Sequence, residues 1–137
     1  MRLKEAIDMS RKTLVQPAGA PELKAALSPG IISNGFLFVS GAVAFGPDGS
    51  IVGDDVTSQT HQTLENIRAI LAEAGTGFDD VVQSRAYLTR IQEDFTTFDS
   101  IYREYFSTPF PARTTIGIEL AIPGLLVEID VVATVAS

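Results

Sequence analysis

Thr57-Ser58-Gln59-Thr60-His61-Gln62-Thr63-Leu64-Glu65-Asn66-Ile67-Arg68-Ala69-Ile70-Leu71-Ala72-Glu73-Ala74 decides the fold class, because here the apolar period changes from that of strands to that of a helix. Leu64, Ile67, Leu71 and Ala74 recur at helical spacing and Ile70 widens the stripe, so one face of this helix is expected to pack on a core. Asp54 and Asp55 stand just before it, where the positive end of the helix dipole favours carboxylates. Gly75 supplies the left-handed residue that ends it.

Upstream, Ile31 to Ser40 reads as two strands around Asn34-Gly35, a dipeptide that accepts the positive φ angles of a tight hairpin. The second strand is expected to continue through Val43 and Phe45 to the turn Gly46-Pro47-Asp48-Gly49 and to return along Ser50-Ile51-Val52. Lys12 to Val15 forms a short strand before the loop Pro17-Ala18-Gly19-Ala20-Pro21. Downstream, Val81 to Leu88 is a strand by composition, and a second helix runs from about Asp94 to Phe106. That helix carries an aromatic stripe of Phe95, Phe98, Ile101, Tyr102, Tyr105 and Phe106, which reads as core. Pro109-Phe110-Pro111 breaks the chain. Two strands follow, Arg113 to Leu120 and Leu125 to Val135, joined around Pro123-Gly124. This order predicts one α+β domain, a mixed β-sheet covered on one face by two α-helices. The domain spans residues 12–137, after an N-terminal extension over residues 1–11 that is polar-rich and able to form a loose helical turn.

Composition narrows the function. The 137 residues carry 17 Asp and Glu against 10 Lys and Arg, a net charge of −7, which repels phosphate backbones and argues against nucleic-acid binding. The absence of Cys removes disulfides, thiol nucleophiles and Cys-based metal sites. His61 is the single histidine, so no multi-histidine metal site is possible, and it reads as a packing or surface residue. No apolar run approaches the ~18 residues that span a bilayer, so no membrane partner is expected. Met1 to Ser10 alternates charged and apolar residues and lacks the apolar core of a signal peptide, so a cytoplasmic protein is expected. Gly46-Pro47-Asp48-Gly49 is a turn and not a phosphate loop, since no Lys-Ser/Thr follows. Asp79-Asp80 reads as a solvated loop.

Two charges stand in apolar surroundings. Arg113 opens a strand directly after Phe110-Pro111-Ala112, and Glu128 sits inside Leu125 to Ala133, sharing one face with Asp130 by period two. Surface charges or an Arg113–Glu128 ion pair are the plain structural reading. In the functional reading, the Arg113 guanidinium anchors a carboxylate by two parallel hydrogen bonds. Glu128, in a partly dry pocket, holds or protonates a water.

Phe36-Leu37-Phe38-Val39-Ser40-Gly41, Gln62-Thr63-Leu64-Glu65-Asn66-Ile67, Ala74-Gly75, Phe110-Pro111-Ala112-Arg113 and Val127-Glu128-Ile129 occur in this order. Together, over roughly Lys12 to Ala133, they resemble the RidA (YjgF) family of reactive-intermediate deaminases. The resemblance implies a chorismate-mutase-like fold, a homotrimer, and clefts between subunits. It also implies hydrolysis of 2-imino acids such as 2-iminopropanoate, and their enamine precursors, to the 2-keto acid and ammonia without a cofactor. On this chain, Arg113 matches the family arginine that clamps the substrate carboxylate, and Glu128 the glutamate that orients the attacking water. Ser40, Gly41 and Thr115 match pocket-lining positions. Leu27 stands where many members have a tyrosine, and Asp99 where the typical deaminase has an asparagine, so the chain resembles a divergent subfamily. Members have also been labelled endoribonucleases, a label at odds with the −7 charge. The alternatives are a trimer that binds a 2-keto acid without turnover, and a hydrolase of a different enamine or catabolic intermediate on the same scaffold.

Overall fold

A computed structural model describes residues 11–20 and 23–136, so the helical turn expected in the N-terminal extension lies outside the described residues. The strands are β1 (Thr13–Val15), β2 (Gly30–Ser33), β3 (Phe36–Ala42), β4 (Val81–Leu88), β5 (Ala112–Gly117) and β6 (Val127–Thr134). Among the described residues the helices are α1 (Val56–Glu73) and α2 (Ile91–Tyr105), and a 3₁₀ turn, Phe78–Asp80, leads into β4. The strands form one sheet in the order β1-β2-β3-β6-β4-β5. Only β4 and β5 run parallel, and the other neighbours are antiparallel. Both helices pack on one face, where Leu37, Val39, Ala86, Leu88, Val127, Ile129, Val131 and Ala133 meet Leu64, Ile67, Leu71, Phe98, Ile101 and Tyr102. The expected α+β architecture, with a mixed sheet under two helices, is what the chain adopts.

Local chemistry explains the element ends. Asp55 caps α1 by accepting the Ser58 N–H at 2.7 Å, and Gly75, at φ 75°, closes the other end. Asn34 and Gly35 both take positive φ, 52° and 81°, in the β2–β3 turn. The return strand after β3 is reduced to a single Phe45–Ile51 bridge. The reason lies in the turn itself: Asp48 Oδ1 accepts the Ser50 N–H and O–H at 3.0 and 2.7 Å, and Gly46 N–H donates to Ser50 O.

The second helix starts at Ile91, a turn earlier than its aromatic stripe suggests, because Glu93 and Asp94 N–H close directly on the Arg90 carbonyl at 3.0 and 2.9 Å. The two last strands are joined in sequence but separated in the sheet. β6 inserts between β3 and β4, while β5 takes the edge beside β4. The alternation of Val127, Ile129, Val131 and Ala133, all fully buried, fits β6 for the centre, whereas β5 buries no residue fully. No helix among the described residues is long and apolar enough to cross a membrane.

Buried polar groups tie loops to helices. Gln59 Nε2 donates to Gly124 O at 2.9 Å and to Gly53 O at 3.2 Å, and its Oε1 accepts the Leu126 N–H at 2.8 Å, which fixes the approach to β6. Asn66 Nδ2 donates to Val43 O and Phe45 O, and its Oδ1 accepts from Gln62. His61 Nδ1 meets the Tyr105 hydroxyl at 2.8 Å, so the lone histidine joins α1 to α2.

Candidate functional site

Arg113 lies on the helix side of the sheet. Its row partner in β4 is Ser84, which is buried under α2, so the two side chains share that face. The guanidinium sits over the Tyr102 ring at 4.6 Å, with Phe98 and Phe95 rings at 5.6 and 5.8 Å. Tyr102 is held from behind by a 2.6 Å hydrogen bond between its hydroxyl and Ser84 Oγ, and burial raises the tyrosine pKa. Arg113 Nη2 donates to Asp99 Oδ1 at 2.9 Å, and the other Asp99 oxygen faces Arg103 Nε at 3.4 Å. Thr115 follows on the same side of β5, opposite Ala86.

Glu128 lies on the other side. Its row partner is Tyr87, and the residues that flank it in β6, Val127 and Ile129, are the ones buried against the helices. The register between β3 and β6 shifts between Val39 and Ala42, which places Ser40 and Gly41 in a bulge opposite Asp130. A Cβ at Gly41 would stand 3.2 Å from Glu128 Cγ and closer still to its carboxyl group, so only glycine leaves room for that side chain. Ser40 donates its hydroxyl to the Ser28 carbonyl, tying the bulge to the loop that carries Leu27, whose side chain is 50% exposed. Burial raises the Glu128 pKa first, and the neighbouring Asp130 charge adds to it. Asp130 itself is paired, with Arg85 Nε at 2.9 Å and the Tyr87 hydroxyl at 3.1 Å. Glu128 has no cationic partner among the described residues.

The seven sequence-derived positions therefore fall into two half-sites and do not converge within one chain. Arg113, Thr115 and Asp99 are grouped beside α2, while Gly41 and Glu128 meet on the uncovered face, with Ser40 and Leu27 bordering them through the β3 bulge. The Arg113–Glu128 ion pair weighed at the sequence level is absent, and Asp99 takes its place at the arginine. Sequence reading missed Tyr102, Ser84 and Arg103 as neighbours of Arg113, having placed the tyrosine simply in the core. The signal for Arg103 was available, since it stands one helical turn after Asp99 on α2.

The uncovered face presents Leu14, Phe36 and Phe38 at 57%, 40% and 47% exposure beside half-buried Ile31. Such a contiguous apolar patch marks an interaction surface. Among the described residues, no three His, Asp or Glu side chains are grouped as metal ligands.

Comparison with known proteins gives concordant matches. A family model described as endoribonuclease L-PSP matches residues 18–135. The chain is 43% identical over 117 residues to a Lactococcus lactis protein that carries a regulator's name, AldR, covering 82% of this chain and 92% of that one. Its fold is similar to that of a Rid-family protein from Yersinia pestis at TM-score 0.84 and 37% identity, over 90% of this chain and 99% of that one. It is also similar to Escherichia coli TdcF, solved with bound serine, at TM-score 0.81 and 25% identity, over 91% and 100% of the two chains.

Proposed function

The chain belongs to the endoribonuclease L-PSP family, also called the RidA or YjgF family, and from this premise we propose that it is a hydrolytic deaminase of 2-imino acids and their enamine precursors, working in clefts between the subunits of a homotrimer. The observation that carries the reading is the pair of incomplete half-sites. Arg113 keeps unspent donors on an aromatic-backed guanidinium, and Glu128 is a partly buried acid with no counter-charge. Each supplies what the other lacks, and because they stand on opposite faces of one sheet, a second copy must bring them together. The amino-acid carboxylate of the serine bound to TdcF is the kind of group that Arg113 is suited to seat.

The chemistry follows from these roles. Arg113 holds the substrate carboxylate by charge-assisted hydrogen bonds and so fixes the position of the imine carbon. Glu128 accepts a proton from a water as its oxygen bonds to that carbon, giving a tetrahedral carbinolamine. That proton passes to nitrogen, and Glu128 then takes the carbinolamine's hydroxyl proton and delivers it to nitrogen too. As the carbonyl forms the carbon–nitrogen bond breaks, so ammonia and the 2-keto acid leave. The raised pKa of Glu128 makes it a stronger base than an ordinary carboxylate for the proton it takes and returns. Thr115 and Ser40 line the seat, while Leu27 and Asp99 shape it.

RNA cleavage, which the family's name suggests, is disfavoured by the −7 charge and by the carboxylate already placed on Arg113. The regulator's name of the Lactococcus relative favours a second reading, binding of a 2-keto acid without turnover. The deciding experiment generates 2-imino acids with an amino-acid oxidase in the presence of semicarbazide and follows imine loss. Acceleration by the wild-type protein that disappears in Arg113→Ala supports the deaminase. Binding of pyruvate by calorimetry with no acceleration, unchanged in Glu128→Gln, favours the binding module.

A further inference from the structure

A guanidinium carries five N–H donors and can grip a carboxylate with two parallel bonds along either of two edges, both of which include Nη2. In this chain Asp99 takes one Nη2 hydrogen of Arg113 at 2.9 Å, so one edge is filled from within and the other is left free. Asp99 is itself held from the far side by Arg103 Nε at 3.4 Å. The trio of Arg113, Asp99 and Arg103 therefore carries one net positive charge. Arg103 Nε faces Asp99 and its guanidinium carbon lies 5.5 Å from the Phe110 ring centre, on a side chain 64% exposed, so water competes for its remaining donors. The Arg113 side chain is only 20% exposed, and three aromatic rings surround it, so charges here are less screened than on the open surface.

We propose that Asp99 is a specificity-determining residue of this seat: it lets Arg113 bind one carboxylate and rejects a second negative charge, so the substrates are 2-imino acids with uncharged side chains. The inference rests on the deaminase reading and adds the substrate class to it. A monocarboxylate fills the free edge of Arg113 and neutralises the trio. A dicarboxylate brings a further negative charge toward Asp99 and leaves the trio and its ligand net negative. The unspent Nη donors of Arg103 lie on the exposed side chain, where water screens them. Asp99 thereby acts as a charge filter while also pinning the rotation of the guanidinium.

The test uses binding and turnover in parallel. Calorimetry compares 2-oxobutyrate with 2-oxoglutarate on the wild-type protein, Asp99→Asn and Arg103→Gln. The oxidase assay compares kcat/KM for imines made from leucine and from glutamate on the same proteins. Wild type is expected to prefer the monocarboxylate by about tenfold or more, as for one unscreened charge repulsion at a partly exposed site. Asp99→Asn is expected to narrow that ratio to about twofold, and Arg103→Gln, which strips the charge that offsets Asp99, to widen it. A purely structural role cannot move the ratio in opposite directions. Arg103 is 64% exposed, so its variant is expected to fold even where Asp99→Asn does not, and thermal melts identify either case. A ratio that is equal in all three proteins, or that Arg103→Gln leaves unwidened, overturns the proposal, as does failure of 2-oxobutyrate to bind. Opposite shifts in the binding ratio with no imine hydrolysed by any protein uphold the charge filter and overturn the deaminase reading.

Discussion

Arg113 and Glu128 are each defined by what surrounds them. The aromatic bed under Arg113 orients the guanidinium plane, and a lysine cannot reproduce either the stacking or the paired donors. Arg113→Lys as well as Arg113→Ala should therefore lower kcat/KM in the oxidase assay by about 100-fold or more, with the fold intact by circular dichroism. Glu128 holds its proton more tightly in the folded chain than in the unfolded one, because burial and Asp130 disfavour its charge. Stability from such a group is present below the unfolded pKa and is lost as pH rises through the folded value. Glu128→Gln is thus expected to raise Tm at pH 7, and the gain should vanish once the pH falls below the ordinary value of 4.5. A Tm advantage that persists unchanged at low pH would contradict the burial argument. Gly41→Ala tests the same carboxyl group sterically: its methyl displaces the flexible end of Glu128, so kcat should fall far more than Tm.

Among the elements, α1 shows how much the sequence disclosed. The apolar stripe, the Asp55 cap and the Gly75 terminus were all legible because each is a local property of neighbouring residues. The role of Gln59 and Asn66 was not, since their partners, Gly124, Leu126, Val43 and Phe45, are distant in sequence. Period two likewise tells that Glu128 and Asp130 share a face of β6, but not that the helices leave that face open or that Arg113 points to the helix side. That depends on β6 inserting between β3 and β4, a long-range pairing no local pattern encodes. α1 also holds a liability: the hydroxyls of Thr60 and Thr63 are buried with no hydrogen-bond partner. Thr63→Val keeps the shape and removes the unpaired group, so denaturant titration should show a gain of about 1 kcal/mol. Asp55→Ala should cost about 1 kcal/mol by the same measurement, through loss of the Ser58 cap bond.

At the scale of the whole molecule, one face of the sheet is covered by helices and the other is left open by the described residues. The uncovered face combines Leu14, Ile31, Phe36 and Phe38 with Gly41 and Glu128, so the surface that wants a partner is continuous with one half-site. If the proposed homotrimer and deaminase hold, Phe38→Asp should dissociate the oligomer in sedimentation and abolish deamination together, although Phe38 belongs to neither half-site. The measurement that tests the shared cleft most directly is subunit complementation. Arg113→Ala and Glu128→Gln, each inactive alone, are unfolded together in equal amounts and refolded. The refolded mixture should regain about a quarter of wild-type activity, the share of all clefts that receive one intact residue of each kind. No recovery, with hybrid trimers verified by mass spectrometry, would contradict a site built from Arg113 of one copy and Glu128 of another.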